Sequence, residues 1–503
     1  MKSELPIPLK MQLATRRQNR ELDRQTIENF GISGFTLMEI AGLEAAKFIS
    51  KVQKNLNKGL FLCGKGNNAG DALVAARHLS DYYEHEVSLF FIDGTEDLSP
   101  DTQKNLELLR KLKNGKIHFL SSLDGKEFSN YDYIVDGLLG TGLKDKLREN
   151  YSSVADLANQ QNVPVYSLDI PTGLDCDTGK ILGTAIKADF TLTFGSNKIG
   201  FYLNNGPEFT GQIEVFPLSF PSQFREYDAA LIDEHFTNVI GPIVRDADHK
   251  YQKGTVHIIA GSEGLTGAAI MAAKSAWKSG AGAVFLYAPQ KLLTIYESTL
   301  PEIIKIPVGS DSDAHYTKKH SEIISSKIKE KPGVLVVGPG IGNKPETSEF
   351  VVQLLTDCNL PAVIDADALI VWKQLRNLNI EKKKKWLFTP HPGELSKYFN
   401  ISENDDFNRM NKVKEISVKE GVSILSKGNP VIYSDFQDQQ FITGYDTLMF
   451  SRAGFGDVLA GTIAANIAIT NEITLSVIHA LVSGYQKYQS LQDKADFKPS
   501  NLL

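Results

Sequence analysis

Apolar residues in this chain gather into short runs, separated by longer stretches of mixed or helical spacing. In the first half such runs lie at Leu60–Cys63, Val87–Ile92, Tyr133–Val135, Val165–Leu168 and Phe190–Phe194. Short apolar runs bounded by glycine and polar residues predict buried strands. The stretch Thr15–Asn29 predicts a helix that leads into Gly31. In the second half the runs fall at Val256–Ala260, Ala283–Ala288, Val334–Val337, Ala362–Ile364, Trp386–Phe388, Val422–Leu425 and Pro430–Ser434, with an alanine-rich helix predicted over Gly267–Ser279. Strands alternating with helices imply parallel, doubly wound sheets. Pro217–Gly241 carries Pro217, Pro221, aromatics and charges, and reads as a connector. No repeat relates the two halves. The pattern therefore predicts two unrelated α/β domains, over 1–220 and 246–503, joined by a connector at 221–245.

Length and charge change this picture little. By length alone, 503 residues allow about three domain-sized units, one more than the pattern shows. The net charge of -6, from 54 Lys+Arg against 60 Asp+Glu, argues against a nucleic-acid binder. No apolar run approaches the ~20 residues a membrane helix needs, and Met1–Met11, with Pro6 and Pro8, lacks the apolar core of a signal peptide. Cys63, Cys176 and Cys358 are scattered and odd in number, which gives neither a disulfide framework nor a metal pattern and fits a reducing, cytoplasmic compartment. The Lys382–Lys385 run reads as a solvated loop between a helix and a strand.

Candidate chemistry is densest at Ala453-Gly454-Phe455-Gly456-Asp457-Val458-Leu459-Ala460-Gly461, where a glycine-rich turn enters an apolar helix. Unpaired N–H groups and the helix dipole make such a start a phosphate cradle. A carboxylate beside it is a poor phosphate ligand but a good proton acceptor for a hydroxyl. This suggests phosphoryl transfer to an alcohol with Asp457 as base. The plainer reading makes Asp457 the N-cap of a helix. The chain has no Walker A pattern.

In the first half, Gly64-Lys65-Gly66-Asn67-Asn68-Ala69-Gly70-Asp71 follows a strand and opens a helix. Gly64, Gly66 and Ala69 satisfy the dinucleotide fingerprint, and Asp93 ends the next strand, so a nicotinamide dehydrogenase is a rival reading. The paired asparagines and Asp71 instead offer directed hydrogen bonds to a polar ligand. Three more polar, glycine-bearing loops follow strand ends, at Asp136–Leu143, Asp169–Asp175 and Phe194–Gly200. Ligands of open parallel sheets bind at that edge. Asp136 and Asp169, with oxygens of Thr172 and Asn68, also suit a hard cation.

In the second half, strand ends carry Gly261-Ser262, Gly338–Gly342, Asp365–Leu369, Thr389–Glu394 and Lys427-Gly428. His391 stands between Pro390 and Pro392, which fix its direction. Lys427 puts a cation where nucleotide phosphate would sit.

These motifs carry a resemblance. Gly66–Asp71, the Asp136–Leu143 loop, Asp169-Ile170-Pro171-Thr172-Gly173, Thr193–Lys198 and Leu37-Met38-Glu39 with Ala41-Gly42 closely resemble the NAD(P)HX epimerase domain, which has a Rossmann-like fold. That family interconverts the two C6 hydrates of damaged NADH and NADPH and binds potassium. The resemblance implies substrate contacts from Asn67, Asn68, Ala69, Gly70 and Asp71, from Gly140, Thr141, Gly142, Leu143, Lys144, Asp145 and Lys146, and from Asp169. It implies chemistry at Asp169 and Lys198, and K+ near Asn68, Asp136 and Thr172. Ala69 and Ala72 stand where the family usually has glycine.

The second-half set resembles the ADP- or ATP-dependent NAD(P)HX dehydratase domain, which is ribokinase-like. There the hydrate hydroxyl is phosphorylated and phosphate leaves, restoring the nicotinamide. The resemblance implies that Ala268, Gly340 and His391 touch the damaged cofactor, that Lys427, Gly428, Asn429, Pro430, Val431 and Gly456 touch ADP or ATP with Mg2+, and that Asp457 is the base. It also departs from the family: Phe455 and Arg452 replace small or hydroxyl residues and put bulk at the anion hole, and Tyr251 follows His249-Lys250 where glycine is usual. If only backbone N–H groups hold phosphate, Phe455 turns away and activity survives.

In fused order the two resemblances predict a bifunctional repair enzyme acting on NADHX and NADPHX, with no nucleic-acid or membrane partner, as a homo-oligomer. A kinase of a small alcohol or vitamin precursor explains the second half but leaves the first unused. A binding protein that kept the folds and lost the chemistry would draw on the altered anion hole, but need not keep Asp457, His391 and Asp169.

Overall fold

Thr15 opens the first helix, α1 (Arg16–Arg24), through a capping box with Gln18, each side chain accepting from the other residue's backbone N–H. Gln25–Phe30 continues it as a π-helix, and Gly31 ends it in the left-handed region at φ 93°. The computed structural model describes residues 6–54, 57–123, 128–243, 254–402 and 404–503. They fall into two units, Ile7–Ala230 and Leu231–Leu503, not the three that length alone allowed.

In the first unit, α2 (Gly34–Val52) and α3 (Asn67–Asp81) flank a sheet of seven strands. These are β1 (Lys58–Cys63), β2 (Glu86–Phe91), β3 (Ile117–Leu120), β4 (Tyr133–Gly137), β5 (Val165–Leu168), β6 (Phe190–Phe194) and β7 (Gln212–Phe216). All pair parallel, in the order β3-β2-β1-β4-β5-β6-β7. The order reverses at β1, so the loops after β1 and β4 diverge and leave a crevice between them. The apolar pattern found the central strands and missed β3 and β7. Both are edges, and their partial exposure breaks the continuous run that marks a strand covered on both faces.

Among the described residues, nine strands of the second unit lie between Thr255 and Thr443: β8 (Thr255–Ile259), β9 (Ala283–Pro289), β10 (Ile304–Val308), β11 (Val334–Val337), β12 (Ala362–Ile364), β13 (Trp386–Phe388), β14 (Ser423–Ser426), β15 (Ile432–Ser434) and β16 (Gln440–Thr443). Their order is β10-β9-β8-β11-β12-β13-β14-β15-β16, parallel as far as β14 and antiparallel beyond it. The helices that matter to function are α4 (Thr266–Lys278), α5 (Pro392–Phe399), α6 (Asp406–Glu420), α7 (Phe455–Thr470) and α8 (Ile473–Gln489). The unpredicted β10 is an edge strand containing Lys305 and Pro307, and proline is tolerated there. The parallel sheets with flanking helices are the α/β architecture expected of both halves; the antiparallel extension of the second was not expected, and β16 within it was missed.

Two readings of the sequence change. The segment expected to be a plain connector contains a buried strand, Ala229–Ile232, whose Ile232 carbonyl accepts from the Gly444 N–H at 2.8 Å. The Lys382–Lys385 run is not wholly solvated. Lys383 is buried and donates to the Arg376 carbonyl at 2.7 Å and to Glu420 at 3.3 Å, because the short helix Ile380–Lys383 turns it inward. His249, Lys250 and Tyr251 lie outside the described residues.

Candidate active sites

In the first unit, the ends of β1, β4, β5 and β6 border a cleft of about 830 Å³. Asp169 follows β5 with φ 62°, a left-handed conformation that non-glycine residues keep only where the surroundings hold it. What holds it is Lys198. This ammonium, 1% exposed, donates to Asp169 Oδ1 at 2.6 Å, Thr193 Oγ1 at 2.6 Å and the Phe194 carbonyl at 3.0 Å. An ammonium has three N–H donors, and all are used. Lys198, expected among the catalytic groups, therefore positions Asp169 and has no donor left for a substrate. Asp71 also lines the cleft. Burial pushes its carboxyl well above the usual range, Asp169 and Asp23 push the same way, and Lys198 pulls back.

Gly140, Thr141, Gly142, Leu143, Lys144, Asp145 and Lys146 all line this cleft, as do Asn67 and Asn68. Asn67 accepts from the Ser99 hydroxyl at 2.8 Å, whereas both amide atoms of Asn68 are buried without a hydrogen-bond partner. Ala69 and Gly70 do not face the cleft. The Ala69 methyl is buried in the apolar core, and Gly70 backs onto Met38 of α2. Ala72 is accommodated by a glycine opposite: a methyl on Gly137 would stand 2.6 Å from the Ala72 Cβ. Both departures from the family thus lie on the core side of α3.

Asp136 is fully buried. It accepts from Thr172 Oγ1 at 2.7 Å, Thr172 N at 2.8 Å, Ser167 Oγ at 2.8 Å and Leu138 N at 3.2 Å. Burial still raises its carboxyl overall against those hydrogen bonds. It has no cationic side-chain partner among the described residues. Asp93, the ribose acid of the dehydrogenase reading, is already taken. It accepts from Arg148 at 2.6 Å, Tyr151 at 2.9 Å and Asn150 at 3.1 Å; burial raises its carboxyl, but these donors outweigh that and hold it low.

In the second unit a cavity of about 940 Å³ opens at the start of α7. Gly454 caps that helix at φ 97°, with no side-chain cap, so Asp457 is not the N-cap and stands in the first turn. The first-turn N–H groups of a helix lack intrahelical partners. Lys427 donates to Asp365 at 2.6 Å, and Thr389 Oγ1 donates to the same oxygen at 2.7 Å. A methyl on Gly456 would stand 3.1 Å from Lys427 Nζ and 3.7 Å from Asp365, so glycine there keeps the approach open. Burial pushes Asp457 up to about 6; Asp365 adds to the rise and Lys427 opposes it. A carboxylate tuned this way accepts a proton near neutral pH.

His391 lines the cavity with Glu394, but its Nδ1 is engaged. It caps α5, accepting from Gly393 N at 3.1 Å and Glu394 N at 3.4 Å. Lys427, Gly428, Asn429, Val431 and Gly456 line the cavity, whereas Pro430 does not. The Pro430 carbonyl is held by Arg409, a residue the sequence gave no reason to single out. Its buried guanidinium also binds Ser426 Oγ and the Lys427 carbonyl, and so fixes the loop after β14. Ala268 and Gly340 lie against each other outside the cavity lining, 3.0 Å separating the Ala268 Cβ from a methyl built on Gly340.

Phe455 and Arg452 line the same cavity, and each is engaged by the C-terminal segment. The Phe455 ring packs on Phe497 at 4.8 Å and edge-on to Phe450 at 5.5 Å, and Phe450 and Tyr488 also meet Phe497. Arg452 donates to the Phe497 carbonyl at 2.8 Å. A methyl on Gly454 would meet Pro499 at 3.0 Å, and Lys487 holds the Leu502 carbonyl at 2.9 Å. The two departures thus anchor the C-terminal segment behind the phosphate turn. Phe497→Ala should cost about 3 kcal/mol, the range for deleting a buried phenyl ring. That corresponds to roughly 6–12 °C in a thermal melt of a unit this size. An unchanged melt would contradict this packing.

The family described as "YjeF-related protein N-terminus" matches residues 34–200, and "NAD(P)H-hydrate dehydratase" matches residues 256–495. The chain is 30% identical over 511 residues to the bifunctional NAD(P)H-hydrate repair enzyme Nnr of Salinibacter ruber, covering 96% of this chain and 93% of that one. It is 31% identical over 472 residues to the protein of the same name from Archaeoglobus fulgidus, covering 90% and 89%. The chain belongs to the family of bifunctional NAD(P)H-hydrate repair enzymes.

Proposed function

We propose that the first unit interconverts the R- and S-hydrates of NADH and NADPH, and that the second dehydrates the S-hydrate at the expense of ADP or ATP. The observation that carries the reading is the start of α7. Open N–H groups, Lys427 and a carboxylate raised to about 6 converge there on one cavity. Terminal phosphate oxygens sit on the helix start and Lys427, and Asp457 takes the proton of the hydrate hydroxyl as it attacks phosphorus. Loss of phosphate and a ring proton then restores the reduced nicotinamide. Mg2+ accompanies the nucleotide as its phosphate counter-ion.

In the first unit we propose a potassium ion held by Asn68, Asp136 and Thr172. Asn68 offers a buried amide oxygen without a partner, and Asp136 is a buried carboxylate without a cation beside it. Buried charge of this kind is normally paired or metal-bound, and an all-oxygen donor set suits a hard cation. When bound, the ion neutralises Asp136 and steadies the loops after β4 and β5. Replacing potassium by a bulky organic cation should slow R-to-S conversion at least several-fold and leave dehydration of the S-hydrate comparatively unaffected; equal rates would remove the ion from the site. The three free, buried cysteines accord with a reducing, cytoplasmic compartment, which we also propose.

The experiment for the whole reading uses purified chain, the S-hydrate and ADP or ATP. One orthophosphate should be released for each reduced nicotinamide formed. Phosphorylated product accumulating without reduced nicotinamide would favour a plain kinase.

A further inference from the structure

We infer that Asp365 is the positioning residue for Lys427: it fixes the ammonium at the start of α7 and leaves it donors for the nucleotide phosphate. This deepens the proposed dehydratase reading and rests on it. Asp365, Thr389 and Lys427 each follow directly on one of three adjacent parallel strands, β12, β13 and β14. The sheet thus brings an acid, a hydroxyl and an ammonium to one point, and Asp365 and Lys427 both line the cavity there.

Hydrogen bonds connect the three. The Lys427 ammonium donates to Asp365 Oδ1 at 2.6 Å, and Thr389 Oγ1 donates to the same oxygen at 2.7 Å. The Asp365 side chain is 2% exposed against 20% for Lys427. The acid is therefore the buried anchor, and the ammonium is the part that reaches the cavity. Among the described residues Lys427 Nζ has no other acceptor, so two of its three N–H donors remain. Lys198 of the first unit, by contrast, has spent all three. An ammonium that is aimed but not consumed can stabilise the charge that gathers on a transferring phosphoryl group. The free oxygen, Asp365 Oδ2, stands 3.7 Å from where a methyl on Gly456 would be, so the pair sits directly under the first turn of α7.

The neighbouring acids are engaged elsewhere. Asp367 accepts from Gly342 N at 2.9 Å and does not line the cavity. Glu394 accepts from His391 N at 2.8 Å and lies 3.3 Å from His391 Nε2. Asp457 makes no ion pair among the described residues, which suits the base. The backbone that carries Asp365 is held from both sides. Its N–H donates to the Val337 carbonyl at 3.0 Å, and the Ile364 carbonyl before it accepts from Thr389 N at 3.1 Å. A methyl on Gly338 would overlap the Asp365 carbonyl, so the loop after β11 closes on it without a gap. Ala366, next in the chain and also in the cavity wall, is kept at φ 50°, a left-handed conformation that alanine holds only where its surroundings fix it. A carboxylate repels phosphate, so Asp365 acts through Lys427 and not on the nucleotide itself.

The test combines S-hydrate dehydration, followed by absorbance at about pH 8, where Asp457 is already in its base form, with ADP affinity measured by calorimetry in the presence of Mg2+. Asp365→Asn should lower kcat by ~10–10²-fold, the range for misplacing a positioned group. It should leave ADP affinity unchanged or tighter, because a negative charge beside the phosphates is gone. Lys427→Met should lower kcat and weaken ADP binding, and adding Asp365→Asn to it should cost little more. Thr389→Val, which removes the second donor onto the same oxygen, should lower kcat several-fold in the wild-type chain and little in Lys427→Met. It keeps the cycle readable if Asp365→Asn melts early. An unchanged kcat in Asp365→Asn would overturn the assignment. So would a loss that persists in full beside Lys427→Met, or a loss of kcat accompanied by weaker ADP binding, which a merely loosened cavity would give. If the wild-type chain binds ADP and forms no reduced nicotinamide, it is the dehydratase reading that fails.

Discussion

Asp457→Asn is expected to lower ADP- or ATP-driven recovery of reduced nicotinamide from the S-hydrate by ~10²–10⁴-fold, the range for losing a positioned general base. Asparagine matches the side chain in size and leaves the phosphate cradle in place, since the cap is Gly454 and the cradle is backbone. The loss should be in kcat, with nucleotide binding largely kept. Stability should not fall. Removing the charge forfeits at most about 1 kcal/mol of helix-dipole attraction and relieves repulsion from Asp365 and Asp367. In the wild-type chain the base form predominates above about pH 6, so the dehydration rate should drop as pH falls through that value. A variant that turns over undiminished would remove Asp457 from the chemistry.

Asp169→Ala is expected to stop R-to-S conversion, and the geometry predicts a second cost. The Lys198 ammonium would remain buried with only Thr193 and Phe194 to accept from it. Breaking a buried pair from one side costs about 3–5 kcal/mol. Alanine also resists the left-handed backbone at this position, whereas asparagine tolerates it. Asp169→Asn is therefore the cleaner variant. It should keep an acceptor for Lys198, melt closer to wild type, and still lose conversion by ~10²-fold or more. Dehydration of the S-hydrate should continue in both variants if they remain folded. Loss of both reactions in the well-folded Asn variant would contradict separate sites in the two units.

The central strands and the loops at their ends were legible because strands covered on both faces must be apolar throughout, and the polar residues that follow them then stand out. Lys427, Asp169 and the 140–146 loop could be read in this way, and Asp457 from the glycine-rich turn that enters α7. Edge strands β3, β7 and β10 could not, since half-exposure mixes their pattern. The orientation of Phe455 was not legible either. Its partner Phe497 lies some forty residues on, and only the fold brings the two rings to 4.8 Å. The spent donors of Lys198 likewise depend on three acceptors that converge only after β6 is placed.

The central claim, two linked repair reactions in one chain, is tested most directly by giving the purified protein a mixture of both hydrates with ADP or ATP and following reduced nicotinamide absorbance to its end point. The account predicts recovery of the whole mixture, beyond the share that slow uncatalysed epimerisation supplies. Recovery that stops at the S-hydrate present at the start, or no recovery at all, would contradict it.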